Sequence, residues 1–175
     1  GKYDFEIFFI NDGSKDFSLK VMKDLRKIDK RVSYLNLSRN YGKEMAMLAG
    51  FDYIESDAVV IMDVDLQDPP ELVIDMIKYW EIGFDDVYAK RRSRNSDTFL
   101  KKITATIYYK ILNIVSEIPI LENTGDFRLL SKRAVIAIKK YREYHRYTKG
   151  YFTLIGFSKK EILYDRQKRV AGSTK

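Results

Sequence analysis

The stretch AVVIMDVDLQDPPE, residues 58–71, decides the fold class of this chain. Its first five residues are all apolar, which predicts a strand over 58–62 that is buried on both faces, central in its sheet and parallel to its neighbours. Asp68 is placed to cap the following helix, the two prolines suit the first helical turn, and Gly83 is placed to end that helix. A strand that leads through an acidic loop into a helix is typical of α/β proteins.

Strand-like and helix-like segments alternate on both sides of this stretch. Before it, the sequence predicts strands over 5–10 and 32–37 and helices over 17–28 and 43–54. After it, the sequence predicts strands over 86–89 and 161–164 and helices over 99–115 and 131–141. This succession predicts a single α/β domain, in which a Rossmann-like, mostly parallel sheet carries helices on both faces.

Composition limits the kinds of protein that this chain can be. It has 175 residues, of which 45% are hydrophobic, enough for one domain with a sizeable core. It has no cysteine, which excludes a disulfide scaffold, a thiolate zinc site and a cysteine nucleophile. Its longest apolar runs are about five residues, against the roughly 20 needed to span a bilayer. The first residues indicate a strand, so we expect a soluble intracellular domain without a signal peptide.

The net charge of +7 lies at one end of the chain. Residues 139–175 hold eleven Lys and Arg against three acidic residues, a local charge of +8 that leaves −1 for residues 1–138. Such an end suits phosphates or an anionic membrane surface, although a solvated basic face also explains the charge alone. Aromatic residues interleave with these charges, as they do in RNA-binding and interfacial membrane segments, and composition does not choose between those two.

Polar residues follow several of the predicted strands, at the carboxyl ends where ligands bind in open parallel sheets. They are Asp12 after the first strand, Arg39 and Asn40 after the second, Asp63, Asp65, Gln67 and Asp68 after the third, and Arg91, Arg92 and Arg94 after the fourth. Asp63 and Asp65 are two residues apart, so in an extended chain they point the same way. Carboxylates crowded in this manner repel one another unless a hard divalent cation binds them, and Mg2+ takes one or two carboxylates together with phosphates and water.

Two further clusters lie in the second half of the chain. Asp126 and Arg128 stand two residues apart, a pattern that an ordinary ion pair also explains. Residues 166–175 hold a Gly-Ser-Thr tract between basic residues, which can wrap a phosphate or can equally be an unstructured terminus. His145 is the only histidine and lies in a basic polar stretch, so we expect it on the surface.

Five motifs of this sequence occur together in one order. They are NDGS (11–14), RNYGKE (39–44), DVDLQDPPE (63–71), GDFRL (125–129) and RVAGSTK (169–175). In this order the motifs resemble the family 2 glycosyltransferases of GT-A fold, over nearly the whole chain. The branch that looks most similar is that of the polyprenyl-phosphate glycosyltransferases, the dolichol-phosphate mannose synthases and the bactoprenol glucosyltransferases. Each motif alone is weak, but five at these spacings are specific.

The resemblance implies roles for individual residues. Asp12 matches an acid that holds the uridine, and Asp63 and Asp65 match the Asp-x-Asp motif, with Asp63, Asp65 and Gln67 as contacts of a Mg2+ or Mn2+ cofactor. Substrate contacts are implied for Asp12, Asn40, Lys43, Asp63, Arg91, Arg94, Arg169, Ser173 and Lys175, the last three in a loop that closes over the phosphates. Catalytic roles are implied for Asp65 and for an acceptor-side pair, Asp126 and Arg128.

The resemblance also divides the chain by function. Residues 1–95 would form a nucleotide-sugar-binding half, and residues 96–175 an acceptor-side half with a basic C-terminal loop, in which the long helix from Phe99 faces the membrane. Two departures stand out, because family members begin with one more strand and continue past the last motif into amphipathic and transmembrane helices. We therefore expect a truncated catalytic domain whose nucleotide pocket is incomplete.

The function implied is that of a metal-dependent, inverting glycosyltransferase of cell envelope biosynthesis. It would move a sugar from a UDP-sugar to a polyprenyl phosphate, undecaprenyl or dolichyl, at the cytoplasmic face of the membrane. The expected partners are these substrates, an anionic membrane surface, and further copies of the protein joined through membrane helices. The alternatives are a family 2 domain that acts on a glycan hydroxyl, or a truncated domain without activity.

Functions of other classes fit less well. A nucleotidyltransferase also uses paired acids, but it usually carries a Gly-rich phosphate loop near its start, and this sequence shows none there. A nucleic-acid binder fits the basic end and leaves Asp63 to Asp68 unexplained, so we expect no nucleic acid partner. A binding module that has lost catalysis stays open, and UDP binding without turnover would identify it.

Overall fold

A computed structural model describes residues 2–92, 124–144 and 146–165. The chain divides into two compact units, one formed by residues 1–55 with 142–146 and the other by residues 56–141 with 147–175. Within the described residues, no helix combines the length and apolar character that crossing a membrane requires. The predicted helix over 99–115 and His145 lie outside the described residues.

The first unit is built on two parallel strands with two helices. Its elements are β1 (Ile7–Asn11), α1 (Ser18–Ile28), β2 (Val32–Asn36) and α2 (Lys43–Tyr53). β1 and β2 pair in parallel from Ile7 opposite Val32 to Asn11 opposite Asn36, as their aromatic and β-branched side chains favour. α2 is the more buried of the two helices, and Gly50 lets it approach Ile10 of β1 because a Cβ at this position would collide with that side chain.

The second unit is built on a four-stranded sheet in the order β3-β5-β4-β6. Its elements are β3 (Ala58–Ile61), α3 (Leu72–Glu81), β4 (Asp86–Arg91), β5 (Thr124–Ser131), α4 (Lys132–Lys139), α5 (Thr148–Leu154) and β6 (Lys159–Tyr164). β4 and β6 are parallel, and β5 runs antiparallel to both β3 and β4. Three of the four strands therefore share one direction, and β5 alone is reversed.

Helices cover both faces of this sheet. One face carries the core, in which Met76 of α3 packs against Val87, Phe127 and Leu129 of the strands. On the other face, the central carbon of the Arg128 guanidinium lies 3.7 Å from the ring centroid of Phe152 in α5. The prediction of an α/β sheet with helices on both faces is confirmed by this unit.

Three local predictions differ from the structure. β3 was expected in the centre of its sheet, but in the described residues it lies at one end and pairs with β5 alone, in antiparallel fashion. β5 was not predicted as a strand. Asp68 was expected to cap α3, but that helix begins at Leu72, and the carbonyls of Pro69 and Pro70 accept its first backbone hydrogen bonds. The predicted end is confirmed, because Gly83 follows the helix with a φ of 103° that favours glycine.

Candidate functional site

We call the edge of the four-stranded sheet where β3, β4 and β6 end and β5 begins the carboxyl-end edge. Most of the predicted site residues of the second unit lie at this edge or in the loop that follows β3. Ile61, the last residue of β3, stands opposite Arg128 of β5. This pair lies two residues before Asp63 and two residues after Asp126. The fold therefore places the segment that contains Asp126 beside the strand that leads into the loop of Asp63 and Asp65, although 62 residues stand between Asp63 and Asp126 in the sequence.

The acidic loop, residues 62–68, has a constrained backbone. The Asp65 carboxylate accepts a hydrogen bond of 3.1 Å from the Gln67 backbone N–H, which forms a tight turn within the loop. Leu66 between them has a φ of 57°, the left-handed region that non-glycine residues rarely adopt. The side chains of Asp63 and Asp65 are half-buried. A rare conformation at such a position is typical of loops that hold a ligand.

Asp68 ends the acidic loop and is tied to a different strand. Its carboxylate accepts a hydrogen bond of 2.5 Å from the hydroxyl of Tyr164, the last residue of β6. Both residues are buried, at 7% and 4% exposed. Burial, reinforced by the bond to Asp68, raises the pKa of the Tyr164 hydroxyl, while a hydrogen bond with Arg91 opposes that rise. Asp68 is therefore a tertiary anchor, and this is the physical reason why it does not act as a helix cap.

The donor set of the acidic loop suits a metal that is shared with a substrate. Among residues 2–92, 124–144 and 146–165, no group of three or more His, Asp or Glu side chains is gathered closely enough to hold a metal ion by itself. Two carboxylates and an amide remain, and Mg2+ commonly takes one or two carboxylates and completes its shell with phosphates and water. The residues present fit a cation that binds together with a diphosphate.

Arg128 pairs with an acid that the sequence analysis did not single out. Its guanidinium donates to the Asp86 carboxylate at 2.9 and 3.2 Å and to the Gly125 carbonyl at 3.3 Å, and the side chain is 2% exposed. Burial lowers the pKa of Arg128 and raises that of Asp86, and each charge opposes the shift of the other. The structure thus describes a buried ion pair between Arg128 and Asp86. The expected acceptor-side role of Asp126 and Arg128 stays a prediction.

The first unit positions Asp12 at the end of β1. The two oxygens of its carboxylate accept hydrogen bonds from the backbone N–H groups of Tyr41 and Gly42, at 2.7 and 2.9 Å. Gly13 beside it has a φ of 66°, and a Cβ there would collide with the backbone of the loop after β2. Asp12 therefore holds together the loops that follow β1 and β2, whatever it does for a ligand.

The remaining predicted residues of the first unit lie in or beside the same loop. Asn40 is exposed, and its side-chain carbonyl accepts a hydrogen bond of 3.1 Å from the Gly42 N–H. Lys43 is exposed at the first position of α2. Four predicted residues, Arg94, Arg169, Ser173 and Lys175, lie outside the described residues.

Sequence reasoning missed two residues that the structure pairs with residues of the predicted motifs, Tyr164 with Asp68 and Asp86 with Arg128. Tyr164 gave no signal, because a tyrosine at the end of a strand is common and its partner Asp68 lies 96 residues away. The strand pattern predicts only that Asp86 begins a strand, and its partner Arg128 lies 42 residues away. An acidic residue at a position that the strand pattern predicts to be buried is the one signal that could have marked Asp86 as paired.

Comparisons with known proteins show the family to which this chain is similar. A family model described as Glycosyl transferase family 2 matches residues 1–139. An uncharacterized glycosyltransferase of Synechocystis is 45% identical over 174 residues, which cover 99% of this chain and 55% of the relative. The bactoprenol glucosyl transferase of Shigella phage SfV is 44% identical over 173 residues, 99% of this chain and 56% of the relative. The chain thus spans about half the length of these curated relatives.

A solved structure shows the same fold at much lower identity. It is glucosyl-3-phosphoglycerate synthase from Mycobacterium tuberculosis, in complex with Mn2+, UDP-glucose and glycerol 3-phosphate. The TM-score is 0.51 at 16% identity, and the match covers 94% of this chain and 61% of that one.

Proposed function

The chain belongs to glycosyl transferase family 2, and on that premise we propose that it is the catalytic domain of an inverting enzyme that moves a sugar from a UDP-sugar to a polyprenyl phosphate. The observation that carries the proposal is the pairing of β3 with β5 at the carboxyl-end edge, which ends two residues before Asp63 on β3 and two residues after Asp126 on β5. A loop for a metal and a diphosphate next to an acid from another strand suits transfer between two phosphate-bearing substrates. The bactoprenol relative supports the choice of a lipid phosphate as acceptor.

The chemistry of the acceptor sets what the protein has to supply. A phosphate monoester has a second pKa of about 6, so at neutral pH it is largely a dianion and already a nucleophile. The demand on a general base is then smaller than for a hydroxyl acceptor. The larger demand is to stabilise the charge that develops on the departing diphosphate.

We assign these tasks to residues of this chain as part of the proposal. Asp63, Asp65 and Gln67 would hold Mg2+ or Mn2+, which when bound neutralises diphosphate charge. Further positive charge would come from Arg91, Arg94, Arg169 and Lys175, with Ser173 as a hydrogen-bond donor. Asp12 would serve the uridine by fixing the loop that presents Asn40 and Lys43.

Asp126 and Arg128 have separate tasks in this proposal. Arg128 is buried against Asp86 and Phe152, so we assign it a positioning role. Asp126 precedes it by two residues on the same face of β5, is half-buried, and contributes to the electrostatic environment of Arg128. Asp126 would therefore orient the acceptor, with Arg128 as its fixed counter-charge.

Transfer of radiolabelled sugar from a panel of UDP-sugars to undecaprenyl phosphate tests the proposal. The protein at its natural length should form a lipid-linked product from one UDP-sugar in the presence of Mg2+ or Mn2+. Transfer to a glycan hydroxyl with none to the lipid phosphate would favour the alternative acceptor class. UDP binding without any transfer would identify a binding module.

A membrane surface is the partner that the basic end of the chain suits best. If residues 139–175 face anionic lipid at the cytoplasmic side of the membrane, binding to vesicles should weaken steeply with salt, because the attraction is screened over about 8 Å at physiological ionic strength. Binding that is insensitive to salt, or a preference for RNA over vesicles, would contradict this part of the proposal.

A further inference from the structure

We propose that Tyr164 is a positioning residue, whose hydroxyl holds the acidic loop in the shape that presents Asp63 and Asp65 to a metal and a diphosphate. The inference rests on the proposed function of that loop. It concerns a side chain on another strand whose hydroxyl is bonded to Asp68 and so acts on the acidic loop through that residue.

We expect the hydrogen bond between Tyr164 and Asp68 to be stable, because it is short and shielded from water. Both residues are buried, and the distance of 2.5 Å is at the short end of the range for a hydroxyl that donates to a carboxylate. Water has little access to compete for either group. Removal of the hydroxyl leaves a buried carboxylate oxygen without this donor, and such a group tends to move toward other partners.

Strand pairing and core packing hold Tyr164 in place. Tyr164 stands opposite Arg91 in the parallel β4–β6 ladder, and its carbonyl accepts a hydrogen bond of 3.0 Å from the Arg92 N–H. Its ring packs edge to face on Phe127, with ring centroids 6.2 Å apart. The position of the hydroxyl is therefore determined by the sheet and the core.

The acidic loop needs an anchor at its far end because its own backbone is strained. At its near end, β3 pairs with β5 up to Ile61. Beyond that point the loop passes through the left-handed Leu66, a conformation that persists only where surrounding contacts impose it. The bond from Tyr164 to Asp68 closes the loop two residues after Leu66, so its loss should let the turn between Asp65 and Gln67 relax.

Tyr164→Phe removes the hydroxyl and keeps the ring, and Tyr88→Phe is a matched control. Tyr88 is also buried, lies on the neighbouring strand β4, and places its hydroxyl 3.4 Å from the Glu161 carboxylate. Its bond does not involve the acidic loop. Asp68→Asn is a conservative variant that keeps an acceptor oxygen for Tyr164, whereas Asp68→Ala removes the acceptor.

Two measurements on the protein at its natural length test the inference. Amide hydrogen exchange without ligand reports the Gln67 N–H, which is bonded to Asp65. Calorimetry with UDP and Mn2+ reports the affinity of the loop for its proposed ligands. In Tyr164→Phe, exchange at Gln67 should be faster, and metal-dependent UDP affinity should fall about 10–100-fold, the usual cost of losing a residue that orients a metal ligand.

The variants separate positioning from general destabilisation. Tyr88→Phe should leave Gln67 exchange and UDP affinity within about twofold of the parent, Asp68→Ala should match Tyr164→Phe, and Asp68→Asn should lie between. Unchanged exchange at Gln67 in Tyr164→Phe overturns the inference, as does UDP affinity equal to that of the parent. If the parent protein at its natural length binds no UDP with Mn2+, the proposed function itself is contradicted, a result distinguishable from failure of the variants.

Discussion

Aspartates lie at both ends of the strands of the four-stranded sheet, and their carboxylates are hydrogen-bonded in different ways at the two ends. Where β4 and β6 begin, Asp85 accepts hydrogen bonds from the hydroxyls of Ser131 and Ser158 at 2.7 and 2.9 Å. The Arg133 guanidinium adds two more, at 2.5 and 2.6 Å. At the carboxyl-end edge, Asp65 accepts a bond from its own loop, beside the left-handed Leu66.

The difference is that Asp85 joins several elements of the fold, whereas Asp63 and Asp65 are the acids that we propose as ligands of a metal. Asp85 joins the start of β4 to Ser131, the N-cap of α4, and to Ser158 before β6. Burial raises the pKa of the Asp85 carboxyl, but its hydrogen bonds outweigh burial and the pKa lies below its usual value. A carboxylate that accepts four hydrogen bonds from the protein has little capacity left for a metal, and we therefore do not propose Asp85 as a metal ligand.

The largest effect on stability should come from loss of the buried ion pair between Arg128 and Asp86. Arg128→Met leaves the buried Asp86 charge without its partner and should lower the free energy of unfolding by about 3–5 kcal/mol, as measured by chemical denaturation. The double variant Arg128→Met/Asp86→Leu removes both charges and should recover most of this loss. A single variant as stable as the parent would show that the pair does not support the sheet.

Asp65→Asn should have the next largest effect, on ligand binding and not on folding. An amide cannot replace the anionic ligand that a divalent cation prefers, so metal-dependent UDP affinity should fall about 10²–10³-fold in calorimetry with Mn2+. The free energy of unfolding should stay within about 0.5 kcal/mol of the parent, because asparagine keeps an acceptor oxygen for the Gln67 N–H. Equal UDP affinity in variant and parent would remove Asp65 from the metal site.

Asp85→Asn should show the opposite behaviour. Loss of the charge weakens four hydrogen bonds and should cost about 1–3 kcal/mol of unfolding free energy, with UDP affinity unchanged. Because the folded-state pKa is lowered, the parent should lose the stability from Asp85 as pH falls below the ordinary value of 3.8, and the variant should lose less over that range. Denaturation midpoints between about pH 5 and pH 2 measure both slopes. Parallel slopes would contradict the assignment.

The smallest effect is expected for Asp126→Asn in the transfer assay. Removal of a general base typically costs about 10²–10⁴-fold, and an acid that only orients an acceptor should cost less when an amide of the same shape replaces it. Turnover should therefore fall in the order parent, Asp126→Asn, Asp65→Asn, and the Asp126 defect should not shrink as the assay pH rises from 7 to 9. If Asp126→Asn binds both substrates normally and is as inactive as Asp65→Asn, then Asp126 is the base.

Local patterns were sufficient for most elements of the fold. The predicted helix over 17–28 is observed as Ser18–Ile28, and the predicted strand over 58–62 as Ala58–Ile61. β5 is missed by the sequence analysis. Its charged residues, Asp126 and Arg128, alternate with Phe127 and Leu129, and from the sequence we interpret this segment as a functional motif without assigning it a strand. Its strand structure depends on pairing with β3 and β4, which lie far away in the chain.

The sequence by itself determined the order of strands and helices and the concentration of acids after β3, because apolar periodicity and turn residues act over a few neighbouring positions. Only the tertiary structure decided that β5 lies between β3 and β4, that Arg128 is paired with Asp86, and that Asp68 is bonded to Tyr164. Buried polar groups must find partners wherever the fold brings them, and separations of 42 and 96 residues leave no trace in local periodicity.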